Sequence, residues 1–196
     1  VVRAEDVAVA LLAAGRSARF GDDDKRAADL GGQPLIAWAA QAGRAIPAIA
    51  RFLIDSGDEK NRLALDGYRT LTNAAPDQGL SSSLRIAAQA AVQAGAGALL
   101  ILLADMPFVT GDHLRALLDA RVRAPNRAVF TAGEDGRAQP PALFPRTHFP
   151  ALMALSGDCG AKGLAGDATR VAAPPRLLLD IDTPADLDRA RQLLAR

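Results

Sequence analysis

A largely parallel α/β fold is predicted, and three features of the 196-residue chain carry the prediction. Two short runs, 7–13 and 98–104 (ALLILLA), are almost wholly apolar. Such runs read as strands buried on both faces, as in a parallel sheet. Stretches with apolar residues at helical spacing alternate with the strand candidates, so helices are expected to cover the sheet. A glycine-bearing loop follows the first run, at the strand end where open α/β sheets gather their ligands.

The first strand, 7–13, is bounded by Gly15. After a polar loop, Gly31-Gly32-Gln33-Pro34 turns the chain, with Pro34 placed as the first helical residue. Leu35, Trp38, Ala39, Ala42 and Ile46 then form one apolar helical face. Residues 49–54 give a second strand ending at Asp55, 56–67 are mixed and carry no assignment, and 68–71 make a short third strand. The turn-rich segment 73–79 leads into a helix capped by Ser81-Ser82, with Leu84, Ala87, Ala88, Ala91 and Val92 on its buried side. Residues 98–104 are the central strand, which stops at Asp105-Met106-Pro107. Thr110 caps a helix whose apolar face is Leu114, Leu117, Leu118 and Val122. His113 in its first turn, and His148 near a proline, are expected at the surface. Residues 128–131 form a strand, Pro140-Pro141 keeps the next segment extended, and 149–155 is a short apolar segment with helical character. A last strand spans 177–181, and Thr183-Pro184-Ala185-Asp186 opens the final helix with a cap, a first-turn proline and an acid.

Apolar residues make up 49% and charged residues 23%, which is ordinary for a globular protein, and the length suits one domain, 1–196. A net charge of +1 and 4% aromatic residues argue against a nucleic-acid partner. No run approaches the roughly 18–20 apolar residues of a membrane span, so no membrane partner is expected. The one cysteine, Cys159, excludes an intrachain disulfide and fits a reducing cytoplasm. The start, VVRAED, has neither an initiator Met nor a signal-peptide layout, and a few native residues are expected before it.

The stretch 11–25, LLAAGRSARFGDDDK, carries Gly15 and Gly21 and the cations Arg16, Arg19 and Lys25. Small residues let an anion approach the backbone, whose N–H groups supply partial positive charge without reorganisation. With the added cations, polyphosphate is the natural guest. The spacing is neither the dinucleotide fingerprint nor the Walker A loop. Leu12-Ala13-Ala14-Gly15-x-Ser17-x-Arg19-Phe20-Gly21, followed by Lys25, resembles the signature of nucleotidyltransferases that move a nucleoside monophosphate from an NTP onto a phosphorylated acceptor. Ala13-Ala14 looks like the version in molybdenum cofactor cytidylyltransferases; guanylyl-transferring relatives more often have Ala-Gly-Gly there. The resemblance implies a Rossmann-like three-layer α/β/α domain of nucleotide-diphospho-sugar transferase type. Its nucleotide half would be roughly 6–110 and its acceptor half roughly 111–182. Nucleotide contacts then fall on Leu12, Ala13, Ala14, Gly15, Arg16, Ser17, Arg19 and Lys25, with Arg19 and Lys25 also catalytic.

An NTP brings Mg²⁺, a hard cation held by one or two carboxylates and phosphate oxygens. Asp105, after the central strand, and Asp182, after the last, are the obvious pair. Asp180 competes with Asp182, which is preferred as nearer the strand end. Ala104-Asp105-Met106-Pro107 is similar to the family's metal aspartate motif, which makes Asp105 catalytic, and Asp180-x-Asp182-Thr183-Pro184 is similar to its C-terminal metal motif. Gly79-Leu80-Ser81-Ser82-Ser83-Leu84 resembles a stretch beside the nucleotide in the cytidylyltransferases, so Gly79, Ser81 and Ser82 join the nucleotide contacts. The stretch 156–163 resembles the Gly-Asp-x-Gly-Ala-Arg/Lys segment on the acceptor side, which assigns Asp158 and Lys162 to the acceptor. Two departures stand out: Met106 where Gln is frequent, and Arg137-Ala138-Gln139-Pro140 where Arg-Gly-His-Pro is usual. The second loosens the identity of the acceptor.

The activity implied by the resemblance is Mg²⁺-dependent transfer of CMP from CTP onto the phosphate of molybdopterin, with release of pyrophosphate and a molybdoenzyme as recipient of the product. The alternatives are GTP as donor, a sugar or alditol phosphate as acceptor, or a nucleotide-binding cofactor chaperone without catalysis.

Overall fold

The computed structural model describes residues 6–15, 20, 24–57, 64–157 and 160–195. Seven strands form one sheet in the order β5 (Arg69–Thr72), β4 (Ala50–Asp55), β1 (Val7–Leu12), β6 (Ala98–Leu103), β8 (Ala138–Pro145), β7 (Val129–Ala132) and β9 (Thr169–Ala172). All run parallel except β8, which is antiparallel to both β6 and β7. A two-residue hairpin, β2 (Asp29–Leu30) with β3 (Gln33–Pro34), stands apart from it.

The near-continuous apolar runs serve two cores at once. In β1, Val7, Val9 and Leu11 enter the core formed with α1 (Leu35–Arg44) and α3 (Gly111–Arg123). Ala8, Ala10 and Leu12 enter the opposite core, with α2 (Leu80–Gln93) and α4 (Phe149–Met153). β6 divides the same way, Leu100 and Leu102 to one side, Leu99 and Ile101 to the other. A strand whose two faces are both covered has no place for a polar residue, which is why period-two alternation is missing from these runs. A third cluster joins α5 (Pro184–Leu194) to Leu30, Leu35, Phe108 and Ile181. Among the described residues, no helix is long and apolar enough to cross a membrane.

Several expectations need correction. Residues 177–181 are not a strand: Pro175–Leu178 is a turn of 3₁₀ helix, and the last strand is β9. Pro174 and Pro175 supply no N–H to a ladder, and Leu177 and Ile181 are buried by packing instead. Helix α2 begins at Leu80, earlier than the serines, with Gly79 at its N-cap in the φ +79°, ψ −169° region that only glycine adopts easily. Its serines therefore lie inside the first turn and do not cap it. Pro34 precedes α1 as its N-cap residue. His113 is buried, at 8% exposure, where its Nε2 meets Thr131 Oγ1 at 2.8 Å. The extended segment after Gly136 is a full antiparallel strand, β8.

Candidate functional site

The carboxyl ends of β1 and β6 open onto a cleft of about 580 Å³. Leu12, Ala13, Ala14 and Gly15 form one wall, and Leu103, Ala104 and Asp105 another. Among the described residues, a Cβ added at Gly15 would meet no atom within 4 Å. Packing against the described residues therefore does not demand glycine there, and Gly15 lines the cleft.

Lys25 stands in a 3₁₀ turn, Lys25–Ala27, whose N-cap Asp24 accepts a hydrogen bond from the Arg26 N–H. Its Nζ donates to Asp105 Oδ2 at 3.0 Å and to Asp182 Oδ1 at 3.1 Å. Burial pulls the Lys25 pKa down, but the Asp105 and Asp182 carboxylates outweigh it and hold it above the ordinary value. Asp182 is set by the opening of α5. Thr183 and Asp186 form a reciprocal capping box there, and the Asp186 carboxylate also accepts the Asp182 N–H at 3.2 Å. Hydrogen bonding from Thr183 lowers the Asp186 pKa, so this carboxylate stays ionised. The backbone closes the same corner, with Ile181 N–H donating to the Asp105 carbonyl at 3.0 Å.

Asp105, Asp180 and Asp182 each place one carboxylate oxygen within 4.8 Å of the others. Burial and the neighbouring charges of Asp105 and Asp182 push Asp180 up to about 7. Among the described residues, Asp105 Oδ1 is buried without a hydrogen-bond partner. A buried acceptor lacking a donor, in a cluster of mutually repelling carboxylates, fits a hard divalent cation such as Mg²⁺ or Mn²⁺. Asp180 and Asp182, treated as rivals in the sequence, thus share one cluster.

The other expected residues divide. Gly79 lines the cleft, together with Leu80 and Ser83. Ser81 and Ser82 do not: their hydroxyls donate to the carbonyls of Gln78 and Gly79, and Asn73 Nδ2 donates to Ser82 and Ser83. Lys162 lines a separate hollow with Arg137, Gln139 and Arg170. Arg16, Ser17, Arg19 and Asp158 lie outside the described residues. Sequence reasoning did not single out Arg26, buried at the cleft with its guanidinium on Asp24, Asp55 and the Ala13 carbonyl. Nor did it single out Asn73, since a buried asparagine's partners are set by the tertiary fold.

Known proteins share this architecture. The molybdenum cofactor guanylyltransferase of Cereibacter sphaeroides is 34% identical over 192 residues, covering 95% of this chain and 96% of that one. The phosphoenolpyruvate guanylyltransferase of Sphaerobacter thermophilus is 30% identical over 178 residues, 88% of this chain and 83% of that one. The structure of Rv0371c from Mycobacterium tuberculosis H37Rv superposes with a TM-score of 0.80 at 26% identity, covering 97% of this chain and all of that one. The same protein is also known in complex with manganese. The MobA-like NTP transferase domain matches residues 9–182, a span that begins in β1 and ends on the cluster aspartate Asp182. With the cleft wall Leu12 to Gly15, Lys25 and the carboxylate cluster all inside that span, the chain belongs to the MobA-like NTP transferase family and is a nucleotidyltransferase.

Proposed function

We propose that the chain transfers a nucleoside monophosphate from an NTP to the terminal phosphate of a molybdopterin-type acceptor. The observation that carries this reading is Lys25 Nζ between Asp105 and Asp182 at the mouth of the cleft. An oxygen of the acceptor phosphate attacks the α-phosphorus, the bond to the β-phosphate oxygen breaks, and pyrophosphate leaves. Such a transfer asks little acid–base chemistry of the protein; positioning and charge neutralisation carry it. Ala13 to Gly15 offer backbone to the phosphates, and Lys25, with Arg19, counters charge on the α-phosphoryl and leaving groups. Asp105 and Asp182, with Asp180 beside them, would hold Mg²⁺, which supplies charge neutralisation on phosphate oxygens. Lys162, with Asp158, is assigned to the acceptor within one domain, its nucleotide half roughly 6–110 and its acceptor half roughly 111–182. The reaction is placed in the cytoplasm, with a molybdoenzyme receiving the product.

For the donor base, Ala13-Ala14 and Ser83 on the cleft wall support CTP. A second reading, GTP, is favoured by the guanylyltransferase names of the relatives and by the internal hydrogen bonds that occupy Ser81 and Ser82. Pyrophosphate release is the test, with CTP, GTP, ATP and UTP, Mg²⁺, and molybdopterin present or absent. Pterin-dependent release with CTP supports the first reading, and pterin-dependent release with GTP replaces it by the second. No release with the pterin for any nucleotide rules out this acceptor, and phosphoenolpyruvate is then the first alternative to assay.

A further inference from the structure

Arg26 follows Lys25 in sequence but extends away from the carboxylate cluster. It is 8% exposed and reaches three separate stretches of the chain, at Ala13, Asp24 and Asp55. Nη1 donates to the Ala13 carbonyl at 3.0 Å, where the chain leaves β1 for the phosphate loop. Nε and Nη2 donate to the Asp24 carboxylate, each at 2.8 Å at the nearest oxygen, where the chain returns from that loop. Nη1 also pairs with Asp55, 1% exposed at the end of β4, and Asp55 in turn accepts the Ser56 N–H at 2.9 Å. One planar guanidinium thus joins the two ends of the loop to each other and to the neighbouring strand. A burial this deep, for a charge with a rigid fork of donors, is useful where several acceptors must be held in fixed relation.

We propose that Arg26 is a positioning residue for Lys25. By fastening Ala13, Asp24 and Asp55 together, it fixes the short 3₁₀ turn that carries Lys25 and so sets the Lys25 ammonium against Asp105 and Asp182. The inference rests on the role given to Lys25 above. It separates two adjacent cations by function: Lys25 meets the phosphates, and Arg26 acts through Lys25.

The test is a double-mutant cycle in pyrophosphate release, paired with calorimetric titration of CTP and GTP in the presence of Mn²⁺ and the absence of acceptor. Arg26→Met is made in an Asp55→Asn background, so that the deepest carboxylate is not left charged and the protein folds; Asp55→Asn alone is the reference. Turnover is expected to fall about 10- to 100-fold, as for a misplacement of about 1 Å, and nucleotide affinity by about tenfold. Adding Lys25→Ala to the Arg26 variant is expected to slow it no further than Lys25→Ala alone, since both changes remove one interaction. Arg26→Lys is expected not to rescue, because an ammonium cannot span three acceptors. Wild-type turnover and affinity in the folded Arg26 variant, additive losses in the cycle, or rescue by lysine each overturn the proposal. A Lys25→Ala protein with wild-type turnover would overturn the role of Lys25 as well; a slow Lys25→Ala beside a fast Arg26 variant overturns the role of Arg26 alone.

Discussion

Lys25→Ala should change the stability of the protein in a metal-dependent way, apart from any effect on activity. The Lys25 side chain is 11% exposed and those of Asp105 and Asp182 are 24% and 49% exposed. The Asp105 arm, a charge-assisted hydrogen bond out of bulk water, is worth about 1.5–3 kcal/mol; the half-exposed Asp182 arm adds about 0.2–1 kcal/mol. Removing the ammonium also uncovers repulsion among carboxylates within 4.8 Å of one another. That repulsion is about 1 kcal/mol per pair in water and about 3 kcal/mol at an effective dielectric constant of 20. Part of it is relieved by side-chain movement, and the desolvation cost of the lysine disappears, so a net loss of about 2–3 kcal/mol is expected in chelator. For a chain of this length that is a fall in Tm of about 4–12 °C. Mn²⁺ should then restore more stability to the variant than it adds to the wild type, because in the wild type it must compete with the Lys25 ammonium for the same oxygens. On the role proposed for Lys25, turnover should remain about 10²–10³-fold down whatever the metal concentration, since charge on the phosphoryl group would have lost its partner. Thermal melts in EDTA and across a Mn²⁺ titration give both numbers. Equal Tm in chelator, together with equal Mn²⁺-induced shifts, would refute the idea that Lys25 serves as the resident counter-ion of a cation site.

Asp105→Ala should fold and lose activity by several orders of magnitude; near-normal turnover in a folded variant would remove Asp105 from the metal site. Thr183→Ala breaks the capping box and should cost about 0.5–2 kcal/mol in urea denaturation. Because Asp186 also holds the Asp182 N–H, the same variant should raise the Mn²⁺ concentration needed for half-maximal stabilisation, and an unchanged requirement would separate the cap from the site. Burial lowers the His113 pKa from its ordinary 6.5, so the folded state binds its proton less readily than the unfolded state. The stability this contributes is present above pH 6.5 and is lost as pH falls through the folded-state value below it. Denaturation at stepped pH should show that loss in the wild type and a smaller one in His113→Asn; identical slopes would contradict it.

The fold was legible wherever burial is symmetric. A strand covered on both faces cannot hide its character, so 7–13 and 98–104 declare themselves. Legibility failed where apolar residues are buried by something other than a ladder. Leu177 and Ile181 are buried like strand residues, yet Leu177 packs from a 3₁₀ turn into the core of α1 and α3, and Ile181 packs from the chain after it against α5 and Phe108; only the flanking Pro174-Pro175 hinted at this. His113 failed for the opposite reason. A polar residue in a first helical turn reads as exposed, and the Thr131 hydroxyl that makes its burial tolerable comes from another element, 18 residues on.

The site divides along the same line. Cleft residues that come from one local loop, such as Gly15 and Lys25, are recognisable because their spacing in sequence is short and carries the family signature. Asp105 and Asp182 are also legible, 77 positions apart by number, since each follows an apolar segment, although only the segment before Asp105 is a strand, and Lys25 bonds both. What supports these residues is not legible. Arg26 and Asp55 are 29 positions apart, and nothing near either requires the other; only the pairing of β1 with β4, which brings Ile54 O to Ala13 N at 2.8 Å, makes them neighbours. The serine run shows how the two kinds of residue are confused. Three hydroxyls at a helix start suggest a ligand, yet two of them return to the carbonyls of the turn before it, and Asn73 uses Ser82 and Ser83 to hold that turn in place. Of the three, Ser83 is the one on the cleft wall. A change of donor base should therefore follow Ser83→Ala before Ser81→Ala, whose first effect should be on the stability of the turn.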